Sequence, residues 1–449
     1  MQAQGAQAVA VQDLLRVHPC ACSSTFRQLL LPVAMRILLL AVLVNLSAAT
    51  SAACEKTLVE HYYGKDHDQL DDGACYSATV EVTGDDPTFA QGYFLKEAAD
   101  APTNAKCLDG SPALYYWRKG TGTGVNKWYI WQQGGGWCYD LKSCVSRATG
   151  RLGSTKDDKP NMSIDGGYFS VDQKQNPLMY NWNAVYIRYC DGASLSGDKL
   201  TPTVVDNSTL FFRGRAILDA EIEDLLYQRG MKEATDVIVS GCSAGGLATF
   251  LHCDHWAKGI GLATNGSAKV ACMPDSGFFL DDDHSPKYGS NMRNVFKFQE
   301  SSAEGLNAAC VAAHKSTGDP EKCIFAQWSS AHILTPTFPL QSEYDTWQQG
   351  NVAGEGVDMN DFGKNLTALV KSQLLSQPQH GIFLESCSHH CGSWNGPIVD
   401  RMTSSAALEE WYNKGSVALE NKGFFNQGKT FPCKACCSGS GDEEAVFVV

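Results

Sequence analysis

"DVIVSGCSAGGLATFLHCDHW", Asp236 to Trp256, decides how this chain is read. Val237, Ile238 and Val239 form a β-branched run suited to a buried strand. Gly-Cys-Ser-Ala-Gly follows at once, Gly241 to Gly245, and then a helix-like pattern. A strand that turns this tightly into a helix lifts one side chain, Ser243, clear of the backbone. The small residues Ala244, Gly245 and Gly246 let the strand and helix approach closely. That is the layout of a nucleophile elbow. A Gly-rich turn whose serine merely caps the helix uses the same residues, so the rest of the chain must separate the two.

Outward from the elbow, short apolar runs recur, each feeding a Gly-rich or polar turn. "NKWYIWQQGGG" and "NWNAVYIRYCDG" precede it, and "TPTFPLQSEYD" and "HGIFLESCSHH" follow. Their β-branched and aromatic content predicts strands. Within "FFRGRAILDAEIEDLLYQRGM", Ile217, Leu218, Ile222, Leu225 and Leu226 recur at helical spacing with acidic residues between them. Gly230 is the expected stop. Strand, helix, strand with continuous apolar strands predicts an α/β fold with a largely parallel sheet. No repeat, heptad or long linker interrupts it.

The chain has 449 residues, 43% of them hydrophobic, enough to bury a large core. A net charge of -13 and the lack of a dense Lys/Arg run argue against a nucleic-acid partner. "MRILLLAVLVNLSAATSAAC", from Met35, has the basic, apolar and small-residue order of a secretory signal peptide. Residues 1–53 are therefore expected to be an extension plus signal, 54–437 one catalytic domain, and 438–449 a loose tail. No membrane span is expected once the signal is removed. Of 18 cysteines, Cys20 and Cys22 precede the expected cleavage point. In an oxidising compartment the others favour disulfides over metal, and Cys138 and Cys144 are close enough for a local loop. The cluster Cys433, Cys436 and Cys437 lacks the second pair a zinc site needs. Asn161, Asn207, Asn265 and Asn365 stand in glycosylation tripeptides.

A serine hydroxyl is a weak nucleophile near neutral pH and needs a base, which in turn needs an orienting acid. In this type of fold the chain order is Ser, acid, His. Among the histidines after the elbow helix only His389 and His390 follow directly on a late apolar run. For the acid, Asp345 ends "TPTFPLQSEYD", and Asp275, after "AKVACMPD", is the alternative. A metal reading of "CSHHC", or of His252, Asp254 and His255, needs three or four converging ligands that nothing in the sequence brings together. Donors for an oxyanion come from the residue after the nucleophile, Ala244, and from a Gly-rich loop after an early strand. "GGGWC", Gly134 to Cys138, is such a loop.

Four blocks, "QGGGWCYDLKSCVSRATGRLGSTK", "YNWNAVYIRYCDGASLSGD", "LFFRGRAILDAEIEDLL" and "SGCSAGGLATFLHCD", together resemble the pectin acetylesterase family, whose relatives include Notum-type carboxylesterases. The resemblance implies a secreted serine O-acyl esterase with an α/β/α hydrolase-like core, no cofactor, and an acylated polysaccharide or other O-acyl ester as substrate. It puts the serine on Ser243 and the acid on Asp345, in "EYDTWQ". The histidine falls third after the Ser386-Cys387 pair, on His390, and the oxyanion donors on Gly135, Gly136 and Ala244. "GCSAGGLATFLHCD" looks more like the polysaccharide branch, which implies a small acyl group. A Notum-like deacylase of longer chains and an inactive secreted binding protein are the alternatives. Two departures stand out: Gln133 where plant-like members carry Glu, and Glu343-Tyr344 where Ala-Tyr is usual, expected to add negative charge near the acid. Trp137, Trp182, Trp347 and Trp394 are candidates for stacking on sugar rings.

Overall fold

A computed structural model of the chain describes residues 86–282, 286–302 and 305–437. The expected leader and the C-terminal tail lie outside the described residues, as does "CYSATVEVTG", residues 75–84, whose alternating β-branched pattern also reads as a strand. The described strands are β1 Phe89–Phe94, β2 Leu114–Arg118, β3 Lys127–Gln132, β4 Asn161–Ser163, β5 Asn183–Ile187, β6 Thr203–Val205, β7 Ser208–Leu210, β8 Asp236–Cys242, β9 Lys269–Asp275, β10 Leu340–Ser342, β11 Ile382–Glu385 and β12 Phe424–Asn426. The helices are α1 Leu141–Ala148, α2 Gly214–Tyr227, α3 Ala244–Ala263, α4 Pro286–Phe298, α5 Ala308–Lys315, α6 Ala326–Ser329, α7 Thr346–Asn351, α8 Met359–Leu374 and α9 Ser404–Lys414.

One sheet runs in the order β12-β11-β10-β9-β8-β3-β5-β2-β1-β4, and β6 and β7 form a separate ribbon. From β12 to β5 neighbouring strands are parallel. β2, β1 and β4 then continue the sheet antiparallel. Both faces of the central strands are covered, which is why they read as unbroken apolar runs. Trp128, Ile130, Val237 and Val239 pack into one core with Leu225 of α2, Leu247 and Phe250 of α3, and Leu366 of α8. Their alternates Tyr129, Trp131 and Ile238 pack into a second core with Leu408 and Trp411 of α9. The architecture is α/β/α, as the sequence predicts. α2 ends at Tyr227, and Gly230, with a φ of +87°, turns the chain just beyond it.

The described cysteines form seven disulfides: Cys107–Cys190, Cys138–Cys144, Cys242–Cys391, Cys253–Cys272, Cys310–Cys323, Cys387–Cys437 and Cys433–Cys436. The local Cys138–Cys144 loop is among them, and the C-terminal cluster is spent on disulfides. Asn161, Asn207, Asn265 and Asn365 are all exposed. Among the described residues no helix is long and apolar enough to cross a membrane.

Candidate active site

Ser243 sits between the last residue of β8 and the first of α3, with φ +59° and ψ -123°. A serine holds that backbone only where its surroundings force it, and such strain gathers at functional sites. The cause is visible at Gly245, where a Cβ would overlap the carbonyl oxygen of Gln132 in β3. Only glycine lets α3 start this close to the sheet. The Ser243 N–H donates to the Asp275 carbonyl at 3.0 Å, fixing the turn from the β9 side.

The Gly-rich loop leaves β3, the strand beside β8, and passes directly against the serine. A Cβ on Gly134 would lie 2.9 Å from the Cβ of Ser243. Gly135 and Gly136 take φ +133° and +64°. Among the described residues no backbone carbonyl accepts the N–H of Gly135, Gly136 or Ala244. The three groups singled out in the sequence are thus unspent donors beside the elbow.

Asp345 follows β10 and caps α7, its Oδ1 accepting the Gln348 N–H at 2.9 Å. Its Oδ2 lies 2.7 Å from His390 Nδ1, and the carboxylate is fully buried. Burial alone would depress the His390 pKa. The Asp345 hydrogen bond and charge, with Asp275 beyond, outweigh it and raise the imidazole above its ordinary value. His390 Nε2 has no hydrogen-bond partner among the described residues. Cys391, next to His390, is disulfide-bonded to Cys242, next to Ser243, with Cα atoms 5.9 Å apart. One covalent bridge therefore holds the imidazole loop against the elbow.

The pairing separates the two histidines. His389 is turned toward Glu385, its Nδ1 3.0 Å from Oε1 but not aligned as a hydrogen bond. Burial lowers its pKa. Asp275 holds no imidazole; it anchors the loop instead. Its Oδ2 accepts from the Tyr168 hydroxyl and from the Gly392 N–H at 2.9 Å. Its Oδ1 accepts from Ser276 Oγ, which itself accepts the Cys391 N–H at 2.9 Å. No sequence pattern announced this second carboxylate as a brace.

The other candidates are engaged elsewhere. His252 Nε2 lies 2.8 Å from the Ser194 carbonyl, Asp254 accepts the N–H groups of Leu334 and Thr335, and His255 pairs with Asp219 at 2.6 Å. In "CSHHC" both cysteines are disulfide-bonded. Trp182 and Trp394 are core residues, packed edge-on against Tyr412 and Tyr168. Trp137 is buried as well, but with Phe279, Tyr288 and the half-buried Trp347 it forms an aromatic cluster, in which the Trp347 ring is 6.4 Å and the Phe279 ring 6.2 Å from the His390 ring.

Residues 86–438 match the sequence profile of the Pectinacetylesterase family. The chain belongs to this family. Relatives include Pectin acetylesterase 11 of Arabidopsis thaliana, 34% identical over 69% of this chain and 84% of the relative, and Pectin acetylesterase 4 of the same plant, 33% identical over 74% and 85%. A Xenopus laevis protein, Palmitoleoyl-protein carboxylesterase notum2, is 30% identical over 73% of the chain and 70% of its own length. As a pectinacetylesterase family member the chain is a carboxylic ester hydrolase, and its substrates are acyl esters.

Both departures from the family pattern have local partners. Gln133 Oε1 accepts from the buried Arg188, whose Nε meets Asp158 at 3.1 Å, so one carboxylate serves that guanidinium. Glu343 does add a buried acid, but its oxygens accept from Thr367 at 2.8 Å and Ser386 at 2.6 Å rather than facing His390. Burial raises its pKa, against those two hydrogen bonds.

Proposed function

We propose that this chain is a secreted serine esterase that removes O-acetyl groups from a cell-wall polysaccharide such as pectin. Ser243 Oγ attacks the ester carbonyl while His390 Nε2 takes its proton. Asp345 holds the imidazole by Nδ1 and stabilises the imidazolium that forms. The N–H groups of Gly135, Gly136 and Ala244 receive the negative charge that grows on the carbonyl oxygen. His390 returns the proton to the departing sugar oxygen, giving an acetyl-Ser243 intermediate. It then activates water, which releases acetate and restores the hydroxyl. The single observation that carries the reading is the Asp345–His390 pair at 2.7 Å, tethered beside the elbow by Cys242–Cys391. Disulfides, a signal-like leader and exposed glycosylation tripeptides support export.

The aromatic cluster beside His390, Trp137, Phe279, Tyr288 and Trp347, favours a second reading, deacylation of a longer chain as in the Notum-type relatives. Hydrolysis of p-nitrophenyl esters from acetyl to decanoyl, by the protein and its Ser243→Ala variant, tests both. Activity confined to acetyl and propionyl is the expected result, and preference for decanoyl transfers the assignment to the second reading. Equal rates in the two proteins contradict the role of Ser243.

A further inference from the structure

Arg147 is half-buried in the last turn of α1, and among the described residues no carboxylate hydrogen-bonds its guanidinium; the buried Asp191 acts on it through charge alone. Its donors go to main-chain carbonyls instead. Nη1 donates to Gly135 at 2.8 Å, Nε to Leu152 at 2.9 Å, and Nη2 reaches Gly136 at 3.4 Å. The Tyr189 ring supports it from the side, 4.9 Å away, and the Tyr189 hydroxyl donates to the same Gly136 carbonyl at 2.8 Å. A half-buried cation spent on carbonyls of a Gly-Gly segment is an expensive way to hold a turn.

Peptide geometry says what it accomplishes. The Gly135 carbonyl and the Gly136 N–H belong to one planar trans unit and point in opposite directions. Two adjacent glycines at φ +133° and +64° leave that unit with little intrinsic resistance to rotation. A charged donor on the carbonyl fixes the plane and polarises the N–H at its other end. We propose that Arg147 is a positioning residue of the esterase, which locks and polarises the Gly135–Gly136 peptide so that its N–H serves the oxyanion. The Cys138–Cys144 disulfide completes the device, because it bonds the loop to the helix that carries Arg147. This inference rests on the proposed esterase mechanism and goes one layer outward from it.

The test compares wild type, Arg147→Met, Arg147→Lys, Arg147→Ala and Ser243→Ala on p-nitrophenyl acetate, with melting temperatures and tetrahedral-adduct inhibition by a trifluoromethyl ketone. Losing one oxyanion donor outright costs about 100- to 1,000-fold in kcat, and loss of its orientation is expected to cost roughly 10- to 100-fold. Arg147→Met should show that fall in kcat with KM within about twofold, and a matching loss of trifluoromethyl ketone affinity. Arg147→Lys, which keeps charge but one donor direction, should lie between. Added ethylguanidine should restore part of the kcat of an Arg147→Ala variant. Unchanged kcat in Arg147→Met overturns the inference, as does a rise in KM alone. A kcat loss without ketone discrimination or guanidinium rescue also overturns it, since that marks a purely structural role. Activity surviving in Ser243→Ala would instead overturn the underlying mechanism, so the two failures are distinct.

Discussion

At the scale of the residue, the site depends on one imidazole whose two nitrogens have different neighbours. Asp345 on Nδ1 outweighs the burial that would otherwise depress His390, so its pKa lies above the ordinary histidine value of about 6.5. A general base works only when neutral. The acid limb of kcat/KM should therefore fall at a pH above 6.5 as the medium is acidified, which a pH–rate profile on p-nitrophenyl acetate measures. Asp345→Asn leaves burial without the compensating charge. Its limb should move to lower pH while the plateau drops by about 10,000-fold, as for other triads of this kind. The same pair adds stability below the unfolded histidine pKa, and this is lost as pH rises through the raised folded value. Spacing alone left His389 and His390 open, because adjacent residues in a short apolar-to-loop transition carry no spacing signal; only the family resemblance pointed to His390. Register is fixed by contacts distant in sequence: Cys391 to Cys242, and Gly392 to Asp275.

At the scale of the element, the strands that carry candidate site residues were legible because each is an apolar run buried on both faces. β9 could be seen only as the run before Asp275. β2, β1 and β4 gave less away, since they extend the sheet antiparallel at its far side, and β12 has only three residues. In α2 the acidic residues between the apolar ones look like a solvated face, yet Glu221 is buried with neither carboxyl oxygen partnered among the described residues. Helical spacing gives an angle around the axis; it does not show that a second layer covers that angle too. Burial, with a contribution from Asp191, raises the Glu221 pKa well above its ordinary value. A raised folded pKa favours the fold at low pH and weighs against it as pH rises through that value. Glu221→Gln should accordingly raise the melting temperature more at pH 8 than at pH 5. Gly245→Ala should do the opposite at any pH, because its Cβ meets the Gln132 carbonyl. We expect a loss of roughly 3 kcal/mol, the upper end for overpacking, in denaturant unfolding.

For the whole molecule, the disulfides join parts that the sheet alone does not bring into register. Cys242–Cys391 closes 149 residues and places the elbow and the imidazole loop on one covalent brace. Replacing both cysteines by serine should cost about 2–5 kcal/mol of stability and lower kcat beyond what the melting temperature explains. The sequence supplied the cysteines and their oxidising context, but pairing is a property of the folded topology. The central claim is that Ser243, activated by His390, is the nucleophile. Its most direct test is to treat the protein with a fluorophosphonate and map the adduct by peptide mass spectrometry. The account predicts one adduct, on Ser243, abolished in His390→Ala. An adduct on another residue, or full ester turnover with Ser243 unlabelled, would contradict it.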